Sequence, residues 1–197
     1  MAAELQRHSV GLTWHEAGGM SRSAHALLDG ERVWLVDPFD DEEALSAAME
    51  LGRPAGVVQL LDRHARDCEL IAEGLGVPLS RLPTTLAGSP FEVRRVVWQR
   101  LWREVSLWWP EQETLIVAEA IGTAPVFALG RDAGVHPMLR LTPPRGALSG
   151  YRPRRLLVGH GKALEAGATE ALHGALGRAR SDLPRLPFEL PSLLRRN

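Results

Sequence analysis

Cysteine is almost missing from this 197-residue chain: Cys68 is the only one. That excludes an internal disulfide framework and a structural zinc knuckle. A lone thiol fits a reducing compartment, so a cytoplasmic location is the expectation. Lysine is as scarce, with Lys162 the sole example, and arginine carries the basic charge. This reads as genome composition before function. The formal net charge of −1 gives no general reason to bind a polyanion, so nucleic acid is not expected as a partner. No apolar run approaches the length of a membrane span. The first residues, Met-Ala-Ala-Glu-Leu-Gln-Arg-His, carry no signal-peptide pattern, and no membrane partner is expected. A Gly-x-Ser-x-Gly elbow, a phosphate-binding glycine loop and Gly-x-Gly-x-x-Gly are absent. Internal repeats and long low-complexity tracts are absent too.

What remains is an ordinary globular composition, 45% hydrophobic, long enough for one sizeable core. The stretch from Gly56 to Leu79 organises it. Val57 to Leu61 reads as a buried strand. Asp62, Arg63, His64, Ala65, Arg66 and Asp67 follow, all but one ionisable. A helix comes next, with Leu70, Ile71 and Leu75 on one face and Gly76 as its stop. Ionisable residues at the carboxyl end of a strand stand where open α/β sheets bind ligands.

Around this stretch, Gly11 to Met20 reads as loop. Ala24–Leu28 and Arg32–Val36 read as strands joined at Asp29-Gly30, a hairpin turn signal, and the second ends at Asp37-Pro38. Asp40 to Glu43 opens a helix that stops at Gly52, with acids suited to its first turn. Leu82 to Ser89 reads as loop and Phe91 to Trp109 as two or three short strands. Thr114–Val117 is a buried strand running into Ala118-Glu119-Ala120. Pro125–Leu129 reads as a further strand, and Arg131–Ser149 as a surface loop with a short helix. Arg154–Val158 is the last strand, closed by Gly159-His160-Gly161, and Leu164–Arg180 is helical. The tail, 181–197, holds Pro184, Pro187 and Pro191 among many leucines. That is too apolar for a free terminus, so it is expected to dock on its own domain or on a second subunit, making a homodimer.

The ordered set of hairpin, Asp-Pro, helix, ionisable loop, helix, Val-Pro, strand pair, Val-Ala-Glu and Gly-His-Gly resembles the metallo-β-lactamase superfamily. Its members carry Thr-His-x-His-x-Asp-His after the central strand. Leu61 stands at the Thr, Asp62 and His64 at the first two His, Arg66 at the Asp and Asp67 at the last His. Only His64 matches in type. Glu119 stands where the family has a metal-bridging Asp, and His160 matches the His of the final Gly-His-Gly. Asp37 stands where an Asp supports the site loop from behind. The family's remaining His should precede Val105, where this chain has none; Arg100 falls near that position. The resemblance implies a single α/β domain over 1–180, a four-layer αββα sandwich with two mixed sheets facing each other and helices outside.

The implied site cluster is Asp62, His64, Arg66, Asp67, Glu119 and His160, with Asp37 and Arg100 in support. A two-ion site needs mostly neutral imidazoles plus carboxylates. Guanidinium cannot ligate a metal, so Arg66 puts a cation where a ligand belongs. The leading reading is an eroded site that holds no metal cofactor, a protein that is not a competent metallohydrolase, and a binding or structural role. Arg66 is expected to pair with Asp62, Asp67 or Glu119 in place of a metal, and no residue is assigned as catalytic. A small-molecule ligand, its identity unread, fits this reading. The alternative is a mononuclear hydrolase with zinc or manganese on His64, His160 and the carboxylates of Asp62, Asp67 or Glu119. A third class is an interaction protein using the Trp/Arg stretch or the tail. Cys68 at a helix start is a weaker candidate nucleophile.

Overall fold

The computed structural model describes residues 3–18 and 20–185. A six-stranded sheet is laid down in chain order: β1 (Glu4–His8), β2 (Gly11–His15), β3 (Ser23–Asp29), β4 (Arg32–Val36), β5 (Arg53–Gln59) and β6 (Leu79–Arg81). Its first four strands pair antiparallel, and β4, β5 and β6 pair parallel. The two parallel crossovers carry α1 (Glu42–Met49) and α2 (Cys68–Leu75). The second sheet has β7 (Glu92–Gln99), β8 (Trp102–Trp109), β9 (Thr114–Val117) and β12 (Arg155–Val158) in the order β12-β9-β8-β7, with β12 parallel to β9. Two short strands, β10 (Ile121–Gly122) and β11 (Gly134–Val135), form a small ribbon. Three further helices complete the chain: α3 (Pro125–Ala128), α4 (Arg145–Leu148) and α5 (Ala168–Arg178).

Alternation along the strands separates two cores. Leu12, Trp14, Ala24, Ala26, Val33, Leu35 and Val57 pack with Ala44, Ala48, Ile71 and Ala72, so α1 and α2 cover the outer face of the first sheet. Leu27, Val36, Val58 and Leu60 turn the other way and join Val105, Leu107, Leu115, Val117 and Leu156 of the second sheet. The same cluster takes in Leu172, Ala175 and Leu176 of α5. The layers are therefore helix, mixed sheet, mixed sheet, helix. Asp41 caps α1 by accepting from the Ala44 N–H at 3.0 Å, and Gly76 ends α2 at φ 65°.

Three readings of local structure change. Gly11–His15 is a buried strand, not loop, because the missed β1 pairs with all of it. Pro125–Leu129 forms a helical turn, α3, since Pro125 sits at its first position and Leu129 closes it at φ 49°. Phe91–Trp109 holds one long hairpin, with a bulge between Arg95 and Val97. The tail beyond Arg185 lies outside the described residues. Asp182 is buried, and its carbonyl accepts from Arg140 at 3.3 Å.

Candidate functional site

β5 of the first sheet and the parallel pair β9 and β12 of the second are followed by the loops that supply His64, Glu119 and His160. One ligand-type atom from each lies within 4.8 Å of the others. The Glu119 carboxylate stands between the two rings, with Oε1 at 3.1 Å from His64 Nε2 and 3.3 Å from His160 Nε2. Its Oε2 accepts from the Arg63 guanidinium at 2.7 Å.

Both rings are oriented from behind. His64 Nδ1 donates to Asp37 Oδ2 at 2.8 Å, and Asp37 Oδ1 accepts from the Leu60 N–H at 2.8 Å. His160 Nδ1 donates to the Met20 carbonyl at 2.8 Å. These partners assign the Nδ1 proton in each ring, which turns both Nε2 atoms toward Glu119. Two neutral rings would then aim two lone pairs at a carboxylate oxygen. The arrangement needs positive charge between them, supplied by ring protons or by a cation.

Close backbone approach explains the glycines around His160. A Cβ on Gly159 would stand 2.4 Å from the Ala118 carbonyl oxygen and 3.0 Å from His64 Cε1. Gly161 has φ 100°, and a Cβ there would stand 2.3 Å from the Ala124 nitrogen.

Electrostatics follow the contacts. Burial alone would lower the His64 pKa, but the Asp37 charge and the hydrogen bonds to Asp37 and Glu119 prevail and raise it above 6.5. Burial alone would raise the Glu119 pKa, yet hydrogen bonds from His160, His64 and Arg63 and the His64 charge hold it well below the usual carboxylate range. His136 closes the wall against Trp102 and Phe127, and burial lowers its pKa to about 4, so it is neutral. Cys68 is buried, and burial pushes its thiol up to about 12, which removes the nucleophile.

Asp62 and Asp67 do not join the cluster. Asp62 Oδ2 accepts from the Arg103 N–H at 3.0 Å, fastening the loop to β8. Asp67 Oδ2 accepts from the Asp40 N–H at 2.9 Å, linking the starts of α2 and α1. Arg100 is exposed in the turn between β7 and β8. Arg66 differs from its expected role as partner of an acid. Its φ of 42° turns the side chain back across the strand ends. There it donates to the carbonyls of Ser23 at 2.6 Å, Asp37 at 2.7 Å and Gly159 at 3.3 Å. Its NH2 stands 3.5 Å from His64 Nε2.

The acid's cation is Arg63 instead, spread over the Trp102 ring at 4.2 Å from the centroid. A second residue missed in the sequence is Glu104, wholly buried on β8. Its Oε1 accepts from the N–H groups of Ala118, Glu119 and Ala120 at 3.1, 3.0 and 2.9 Å. Its Oε2 accepts from the Trp102 indole at 2.9 Å. Burial raises its pKa to about 7, with those donors pulling the other way. The available signal was a glutamate on a strand of mostly apolar residues, between Trp102 and the stretch Val105 to Trp109. Glu104 fixes the backbone that presents Glu119.

Two nitrogens and one carboxylate oxygen suit a single zinc-like ion. The Arg66 guanidinium stands beside His64 Nε2, and the Asp62 and Asp67 carboxylates are held by backbone N–H groups away from the rings. His64 and His160 are 5% and 3% exposed, so both rings are turned into the protein.

No family model matches the sequence, and no curated protein matches it. Solved structures do. The structure of VMB-1 superposes with a TM-score of 0.65 at 10% identity, covering 91% of this chain and 97% of its own. A metallo-β-lactamase from Erythrobacter litoralis gives 0.63 at 13% identity, covering 91% and 92%. FIM-1 from Pseudomonas aeruginosa, in a mono-zinc form, gives 0.60 at 12% identity, covering 91% and 97%. The fold is therefore the metallo-β-lactamase-like fold over nearly the whole chain. Identities this low speak for the fold alone. Among the described residues no helix is long and apolar enough to cross a membrane.

Proposed function

We propose that this is a metallo-β-lactamase-like protein whose two-ion centre has become a closed hydrogen-bonded cluster, and that it does not catalyse metal-assisted hydrolysis. The fold then serves binding or structure. One observation carries this reading: both oxygens of Glu119 are already engaged, Oε1 by two rings and Oε2 by Arg63. The buried rings and the cation beside His64 agree with it. The test is zinc titration by calorimetry with hydrolysis assays on a chromogenic cephalosporin and simple esters. The expected result is neither tight binding nor turnover. A stoichiometric heat of binding with zinc-dependent hydrolysis would overturn the reading.

A second reading rests on the orientation of the rings. With both Nδ1 protons assigned outward, His64, Glu119 and His160 are fit to hold one divalent ion, which would supply a Lewis acid and a bound water of near-neutral pKa. Arg63 would first have to leave Glu119 Oε2, and a substrate would need the cluster opened. FIM-1 offers the analogy of a lactamase in a mono-zinc form.

A further inference from the structure

The outer face of the first sheet carries a feature that the site does not use. Between α1 and α2 runs an apolar groove of about 320 Å³, lined by Leu45, Met49, Leu70, Ile71 and Leu75, with Asp40 and Asp67 at one end. Leu70 is 71% exposed. The two helical stretches that form the groove carry charge of one sign. No lysine or arginine occurs from Asp37 to Gly52 or from Asp67 to Ser80, whereas Glu42, Glu43, Glu50, Glu69 and Glu73 do. Only Glu69 has a basic partner among the described residues, Arg81 at 2.9 Å.

The chain itself contains the complementary segment. Residues 186–197 read Leu-Pro-Phe-Glu-Leu-Pro-Ser-Leu-Leu-Arg-Arg-Asn, apolar with a doubly basic end. The last described turn, Leu183–Arg185, follows α5 on the second sheet, on the opposite side of the sandwich from the groove. Crossing two sheets and a helix layer is about 30 Å through the body and longer around it. Twelve residues span about 40 Å at full extension. A chain folding onto its own groove would use nearly all of that length merely to arrive. A groove on a neighbouring copy carries no such constraint.

We propose that the α1–α2 groove receives residues 186–197 of a second copy, giving a homodimer with exchanged C-terminal segments. Leu193 and Leu194 enter the slot, and Arg195 and Arg196 meet the acids at its rim. Exchange in both directions closes the assembly as a two-fold dimer. Sedimentation equilibrium of the full chain tests it, with circular dichroism as the check on folding. The wild type should be a concentration-dependent dimer. The full-length variants Leu70→Asp and Leu193→Asp/Leu194→Asp should each be monomeric. Arg195→Glu/Arg196→Glu should weaken the dimer about tenfold, and less so in high salt, which screens rim charges. A synthetic peptide of residues 186–197 added to wild type should dissociate the dimer, a readout independent of any variant's folding. A wild type that stays monomeric at all concentrations would overturn the proposal and leave own-chain docking or a different partner. A dimer that survives both leucine changes and the peptide would also overturn it.

Discussion

Carboxylates crowd two regions of this molecule and meet opposite fates. At the strand-end cluster, Asp37, Glu104 and Glu119 each take two or more hydrogen bonds from within the protein. On the α1–α2 face, Glu42, Glu43 and Glu73 are exposed with no basic partner among the described residues. Satisfied internal charge fixes geometry, whereas unsatisfied surface charge of one sign is available to a partner. The carboxylates of the region that resembles an enzyme site are therefore turned inward, and those of the region that resembles plain helix surface stay exposed.

The sharpest way to break this contrast is to remove Glu104. Glu104→Ala leaves three backbone N–H groups and an indole without an acceptor in a buried place. The expected loss is about 3–5 kcal/mol of unfolding free energy, read from denaturant midpoints. A loss below about 1 kcal/mol would show that water replaces the carboxylate and that Glu104 does not hold the Glu119 backbone.

Arg66→Met comes next, at about 2–4 kcal/mol, because several carbonyls lose a charged donor. Its hydrogen-bond acceptors are carbonyls and do not titrate, so in a His64→Gln background, which removes the neighbouring imidazole, the loss should not recover in acid. Recovery at low pH in that background would mean that an acid is the true partner. The sequence pointed to such an acid, and its failure is instructive. Spacing fixed which residues leave the loop after β5, but the sign of φ at Arg66 decides which way the guanidinium turns, and periodicity carries no trace of it. His64, His160, Asp37 and Glu119 were legible through the ordered match to the metallo-β-lactamase motifs, each position falling at the end of a strand that the apolar pattern marks. Glu104 was not, since its acceptor role depends on β8 and β9 being neighbours. Pro125–Leu129 misled because a short apolar run fits strand or helix, and only the proline at its start favoured the turn.

The pH profile is a smaller effect with a definite sign. Glu104 has a folded pKa of about 7 against an ordinary 4.5, so its contribution is present below 4.5 and lost as pH rises through 7. His64 is raised, so its share is present below 6.5 and lost above it. Glu119 is lowered, so its share is present above 4.5 and lost as the pH falls. Stability should therefore peak near pH 5 and fall by about 2 kcal/mol toward pH 8. Glu104→Gln should flatten the fall between pH 5 and 7; an unchanged slope there would reject Glu104 as its source.

The smallest effect is expected at Arg63, whose side chain is 42% exposed. Arg63→Met should cost no more than about 1 kcal/mol, as surface ion pairs do. It should also free Glu119 Oε2, so zinc affinity is expected to rise above wild type in a calorimetric titration. No rise would show that Arg63 is not what closes the cluster.

The most direct measurement is the metal content of wild-type protein purified without chelator, by mass spectrometry of the elements. The closed cluster predicts far less than one zinc or manganese per chain. One ion per chain, lost in His160→Ala and retained in Asp67→Ala, would contradict it.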